Sequence, residues 1–141
     1  MNKSIQSVAE GNNFTAVNIG KLSLVLENAN GKIFLKESTK ATGIEVSVSV
    51  IAPKTDLPIF HSHKQNEEMY IILSGNGKFQ VDNQCFEISE GSVIRVAPNG
   101  LRGMTNSSDE QMIYLVIQSK ENSLEQYTMD DGVIQESTPL W

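Results

Sequence analysis

Short apolar runs broken by turn signals recur at roughly 8–12-residue spacing along this chain, a pattern that suits a β-sandwich or barrel. Glu45-Val46-Ser47-Val48-Ser49-Val50-Ile51 alternates β-branched residues with small polar ones, which reads as a strand. Glu68-Met69-Tyr70-Ile71-Ile72-Leu73 is apolar on both faces and reads as a strand buried on both sides. Further strands are expected at Lys78–Val81, Cys85–Ile88, Ser92–Val96 and Met112–Ile117. Ser74-Gly75-Asn76-Gly77, Asp82-Asn83, Glu90-Gly91 and Pro98-Asn99-Gly100 supply the turns between them. Helix is expected only as one turn near Ser123 to Gln126, and no internal repeat stands out. The chain is therefore all-β, with three parts: a loose polar start at 1–13, a barrel over 14–118, and a tail over 119–141 packed on the barrel, with Trp141 as its anchor.

The bulk properties limit the partners. The chain has 141 residues, enough for a core without staples. Its formal net charge of −6 disfavours nucleic acid and anionic membrane surfaces. No run of roughly 18 apolar residues is present to span a bilayer, and the first residues lack the apolar stretch of a secretion signal. The single cysteine, Cys85, rules out an intrachain disulfide and reads as a small buried apolar residue. A cytoplasmic location is the simplest expectation.

The two histidines of the chain stand together as His61-Ser62-His63. Random placement would give that separation in about one case in seventy. On a strand, residues i and i+2 share a face, so both imidazoles would aim at one point. Glu68 opens the following strand and could fold back beside them, which would complete a donor set suited to Mn, Fe, Ni or Zn. Tyr70 and Ile72 share the face of Glu68, while Met69, Ile71 and Leu73 would pack the other side. Glu67 is the substitute ligand if the register shifts by one, and Gln65 and Asn66 read as a polar turn. Arg95 reads as an outward salt bridge. From spacing alone, a surface His-x-His with an unrelated acid nearby is an equal alternative.

His61-Ser62-His63, four residues, Glu68, six residues, Gly75 resembles the first motif of the cupin superfamily. Gly91, Pro98-Asn99-Gly100 and Asn106 are similar to its second motif, with one extra residue between Gly91 and Pro98. The resemblance covers roughly residues 43–118. It implies a jelly-roll β-barrel, here with an N-terminal strand extension and a C-terminal tail. It also implies a divalent metal held by His61, His63 and Glu68, a small-molecule ligand in the barrel, and frequent homodimers.

The departure lies in the second motif, which has no histidine. Counting from the corner glycine puts Gly103 at the ligand position, and counting back from Asn106 puts Arg102 there. Arginine has no lone pair to give a metal. Three readings stay open: a metal on three protein ligands, an inward Arg102 that replaces the metal as the positive centre, and an Arg102 that points to solvent. The first makes the chain an enzyme, dioxygenase- or isomerase-like, acting on a small anionic organic molecule with Tyr70 and Arg102 contacting it. The missing ligand motivates the alternative, a non-catalytic small-molecule binding or sensing module whose metal site is incomplete. A purely structural dimer-forming domain is the third possibility. Fold alone does not choose among these.

Overall fold

A computed structural model of the chain describes residues 5–25, 31–127 and 129–141. Its strands are β1 (Gln6–Gly11), β2 (Phe14–Asn18), β3 (Lys32–Phe34), β4 (Glu45–Ile51), β5 (Thr55–Asp56), β6 (Asn66–Ser74), β7 (Asn76–Val81), β8 (Gln84–Ser89), β9 (Val93–Val96), β10 (Arg102–Asn106) and β11 (Met112–Lys120). Two four-residue helices, α1 (Leu22–Val25) and α2 (Lys36–Thr39), flank β3. They are too short to show a helical period in the sequence. The turn expected near Ser123 to Gln126 is not helical.

The strands form two main antiparallel sheets, ordered β3-β4-β11-β6-β9 and β5-β10-β7-β8. The chain passes from one sheet to the other at each step from β4 to β7 and from β8 to β11, whereas β7 and β8 stay together as a hairpin. At the β6–β7 corner this takes a single residue, Gly75, with φ +88°, a conformation that costs glycine nothing. The apolar residues between the sheets form one core: Ile51, Tyr70, Ile72, Phe79, Ile88, Val96, Met104, Met112, Tyr114 and Val116. Tyr70 packs edge-on against Phe79, with ring centroids 4.9 Å apart. Gly77, expected to serve a turn, lies inside β7 instead. A Cβ there would come within 1.9 Å of the Thr105 carbonyl oxygen of β10, so a side chain would force the two strands apart.

In β4 the small polar residues face inward. Ser47 and Ser49 are buried with Ile51, and Val48 is buried on the opposite face. That outer face is covered by the N-terminal segment: Ile5, Ile19, Leu22 and Leu35 pack with Val50, Ile113 and Leu115 around Ile33 and Val48. The segment read as a loose start thus supplies β1, paired with β2 as a hairpin, because its alternating residues complete a local ladder; residues 1–4 lie outside the described ones.

Three other expectations are corrected. Met69 and Leu73 of β6 are partly exposed, because the N-terminal cover stops short of β6 and β9. Cys85 is exposed, since it sits on the edge strand β8. The tail starts on the barrel, with residues 119–120 in β11 and Glu121 bonded to Gln65, but Val133, Ile134, Leu140 and Trp141 are all exposed, so Trp141 is no anchor among the described residues.

Asn106 joins the sheets at the far end of β10. Its buried amide nitrogen donates to the carbonyls of Ile51, Ala52 and Glu110. Its oxygen accepts from the backbone N–H and the hydroxyl of Ser108. Asn106→Ala strips partners from several buried groups at once and should lower the unfolding free energy by about 2–3 kcal/mol. Urea denaturation checks this, and an unchanged midpoint would show that the carbonyls find other donors.

Candidate metal centre

Glu68, Tyr70 and Ile72 alternate along β6 with their side chains in the interior, as strand geometry requires. Across the gap, Arg102, Met104 and Asn106 do the same on β10. The histidine segment is held by backbone bonds. The His61 N–H donates to the Arg102 carbonyl at 3.1 Å, and the Arg102 N–H returns a bond to the His61 carbonyl at 2.9 Å. The His63 carbonyl accepts from the Asn99 N–H at 2.8 Å, which ties it to the Pro98-Asn99-Gly100 corner. Both imidazoles therefore reach the site on a fixed backbone, with ring centroids 5.2 Å apart.

The three residues singled out by spacing come together. His63 Nε2 lies 3.0 Å from Glu68 Oε1, and His61 Nε2 lies 3.7 Å from Glu68 Oε2. One ligand atom from each residue falls within 4.8 Å of the other two. The donor set, two imidazole nitrogens and a carboxylate, could form a divalent-metal site. The Glu68 side chain is buried, whereas that of His61 is 41 % exposed, so the cluster opens to solvent on the histidine side.

Tyr70 and Arg102 stand behind the carboxylate. The Tyr70 hydroxyl donates to Glu68 Oε2 at 2.7 Å. Burial, then that bond to the carboxylate, pushes the Tyr70 phenol far above its usual range, so it stays a donor. Arg102 points inward and is 1 % exposed, so the solvent-facing reading is overturned. The inward position of β10 belongs to Arg102, not Gly103. At Gly103 a Cβ would meet the Phe60 ring at 2.5 Å. Arg102 Nη2 lies 3.2 Å from Glu68 Oε2, an ion pair without hydrogen-bond alignment. Nη1 donates to the Gly100 carbonyl at 2.7 Å, and Nε has no acceptor. Oε2 is thus held by the Tyr70 hydroxyl and by the charge of Arg102, with His61 Nε2 at 3.7 Å, and Oε1 faces His63.

Residues around the cluster behave as side features. Glu67 pairs with Arg95, which also reaches Glu121, so Arg95 makes the outward salt bridge its sequence position suggests. Asn66 bonds Gln118, away from the ligands. The Tyr70–Glu68 bond carries no signature in the sequence beyond the shared strand face.

The sequence pattern of the cupin domain matches residues 47–118, more than half of the chain. The chain belongs to the cupin family. A cupin protein of Bacteroides fragilis has a similar crystal structure, with 44% identity, a TM-score of 0.72, and coverage of 74% of this chain and 89% of that one. A sugar phosphate isomerase of the cupin superfamily from Silicibacter pomeroyi shares the fold at 16% identity, with a TM-score of 0.58 over 66% of this chain and 63% of that one. An uncharacterized protein of Methanocaldococcus jannaschii is 35% identical over 57 residues, and the chain spans less than half, 46%, of that relative's length. Among the described residues, no helix of this cupin is long and apolar enough to cross a membrane.

Burial holds the His61 imidazole below its ordinary pKa of 6.5, outweighing the attraction of Glu68; Arg102 and His63 push the same way as burial. A depressed folded-state value means that the unfolded chain takes up the proton first as pH falls. The metal-free protein should therefore lose stability as pH drops below about 6.5, and His61→Gln should flatten that loss. Melting temperature followed between pH 8 and pH 5 tests this. Parallel curves for the two proteins would assign the acid sensitivity to other groups.

Proposed function

We propose that this cupin binds a divalent metal ion through His61, His63 and Glu68 and acts on a small anionic organic molecule that approaches from the histidine side. The observation that carries the reading is the convergence of the three donors, two of them partly open to solvent, on one point. A bound ion would supply Lewis-acid polarisation of a ligand oxygen at that point. The protein's own groups hold the carboxylate still: Tyr70 and Arg102 fix Oε2 and leave Oε1 to the cation. Tyr70 and Arg102 are therefore positioning residues in this reading, since both are turned toward Glu68.

Charge argues for an anionic ligand. The Glu68 carboxylate and the Arg102 guanidinium cancel, and the imidazoles are neutral ligands. With Arg102 counted, a divalent ion there leaves the cluster with two net positive charges, and an anion stabilises such a centre. The sugar phosphate isomerase that shares the fold has a substrate of this class, and an isomerase-like reaction suits a Lewis-acid site without redox demands. A non-catalytic binding module is the second reading, favoured by the full engagement of Tyr70 and Arg102 with Glu68, which leaves neither free to move a proton.

Elemental analysis of untagged protein after exhaustive dialysis tests the reading. About one equivalent of Fe, Mn, Ni or Zn per chain is expected, and it should be lost in the His61→Ala, His63→Ala double variant. Metal retained by the double variant, or none taken up by the wild type after reconstitution, would rule out this site.

A further inference from the structure

We infer that Arg102 is a built-in cation that stands in for part of the metal's charge, keeping Glu68 compensated and in place when no metal is bound and thereby holding metal affinity down. This rests on the proposed metal reading and adds what sets the strength and exchange of the ion.

The geometry of Arg102 points to charge, not hydrogen bonding, as its role. A side chain that is 1 % exposed normally satisfies its donors. Here Nη1 donates to the Gly100 carbonyl at 2.7 Å and to the His61 carbonyl at 3.4 Å, Nε has no acceptor, and Nη2 faces Glu68 Oε2 at 3.2 Å without alignment. The buried carboxylate is just as dependent on the guanidinium. Its side chain is 5 % exposed, and its other bonding partners are the Tyr70 hydroxyl and His63 Nε2. A buried carboxylate stripped of its counter-charge is strongly destabilising. The guanidinium removes that cost without a metal, so the centre is assembled in the empty protein.

The same charge opposes a second cation. Two effects compete when Arg102 is removed. Loss of an outer partner that orients a ligand typically weakens metal binding by about 10–100-fold. Removing a full positive charge a few ångströms away, in a poorly screened interior, strengthens it by at least as much. The Tyr70 hydroxyl, at 2.7 Å, still holds Oε2 after Arg102 is gone, so most of the orienting effect survives. The charge effect then wins.

The test compares wild type, Arg102→Met and Arg102→Lys as untagged full chains, with MnCl2 or ZnCl2 alone as the probe. Equilibrium dialysis gives affinity, and melting temperature with and without metal gives the linked stabilisation. Arg102→Met should bind metal roughly tenfold tighter or more than wild type, start from a lower metal-free melting temperature, and recover most of the loss on metal addition. Arg102→Lys keeps the charge and should resemble wild type. An Arg102→Met protein that folds only when refolded from urea with metal also supports the inference. Equal or weaker metal binding by Arg102→Met, or failure to fold even with metal, overturns it. If wild type binds no metal and Arg102→Met does, the proposed function falls while this inference stands; if neither binds, both fall.

Discussion

The ion pair between Glu68 and Arg102 crosses the gap between the two sheets, and the candidate site is arranged around it. Glu68 belongs to the five-stranded sheet and Arg102 to the four-stranded one. Arg102 also forms the backbone bridge that places His61. One residue thus fixes the carboxylate by its side chain and an imidazole by its main chain. Without that pairing, two interior charges would face an apolar core of aromatic and aliphatic residues. Tyr70, which bonds that carboxylate, is itself packed against the rings of Phe79 and Tyr114.

Strand geometry explains why so much of the centre follows from local sequence. Glu68 and Tyr70 lie two apart on β6, and alternation places both; His61 and His63 meet although their segment is a single β-bridge and not the strand expected from the sequence. The closing of the loop between them is a tertiary matter, yet the Asn99–His63 bond shows that the Pro98-Asn99-Gly100 corner finishes it. The departure at the second motif was legible as a missing imidazole. Which way Arg102 turned was not, because its direction depends on β10 pairing with the His61 segment, forty-one residues earlier.

Elsewhere the sequence was less informative, for identifiable reasons. Alternation in β4 marked a strand but not which face was interior. The serines turn inward because the outer valines find their own apolar cover in Ile5, Ile19, Leu22 and Leu35. That cover comes from a segment whose polar look hid a hairpin; its ladder needs only backbone groups. The apolar residues of the tail suggested packing, but Trp141 is fully exposed among the described residues. Gly77 resembled a turn glycine and is instead required by how closely β7 approaches β10.

The position of β11 has a consequence for synthesis. It is the last of the described strands and sits between β4 and β6, bonded to both along most of their length. A ribosome that has released the chain only as far as Glu110 has produced β4 and β6 with no partner on the edges they will share. Such open strand edges invite pairing with other chains. The five-stranded sheet therefore cannot close before β11 is available, and a nascent chain paused just before Met112 keeps those two edges open.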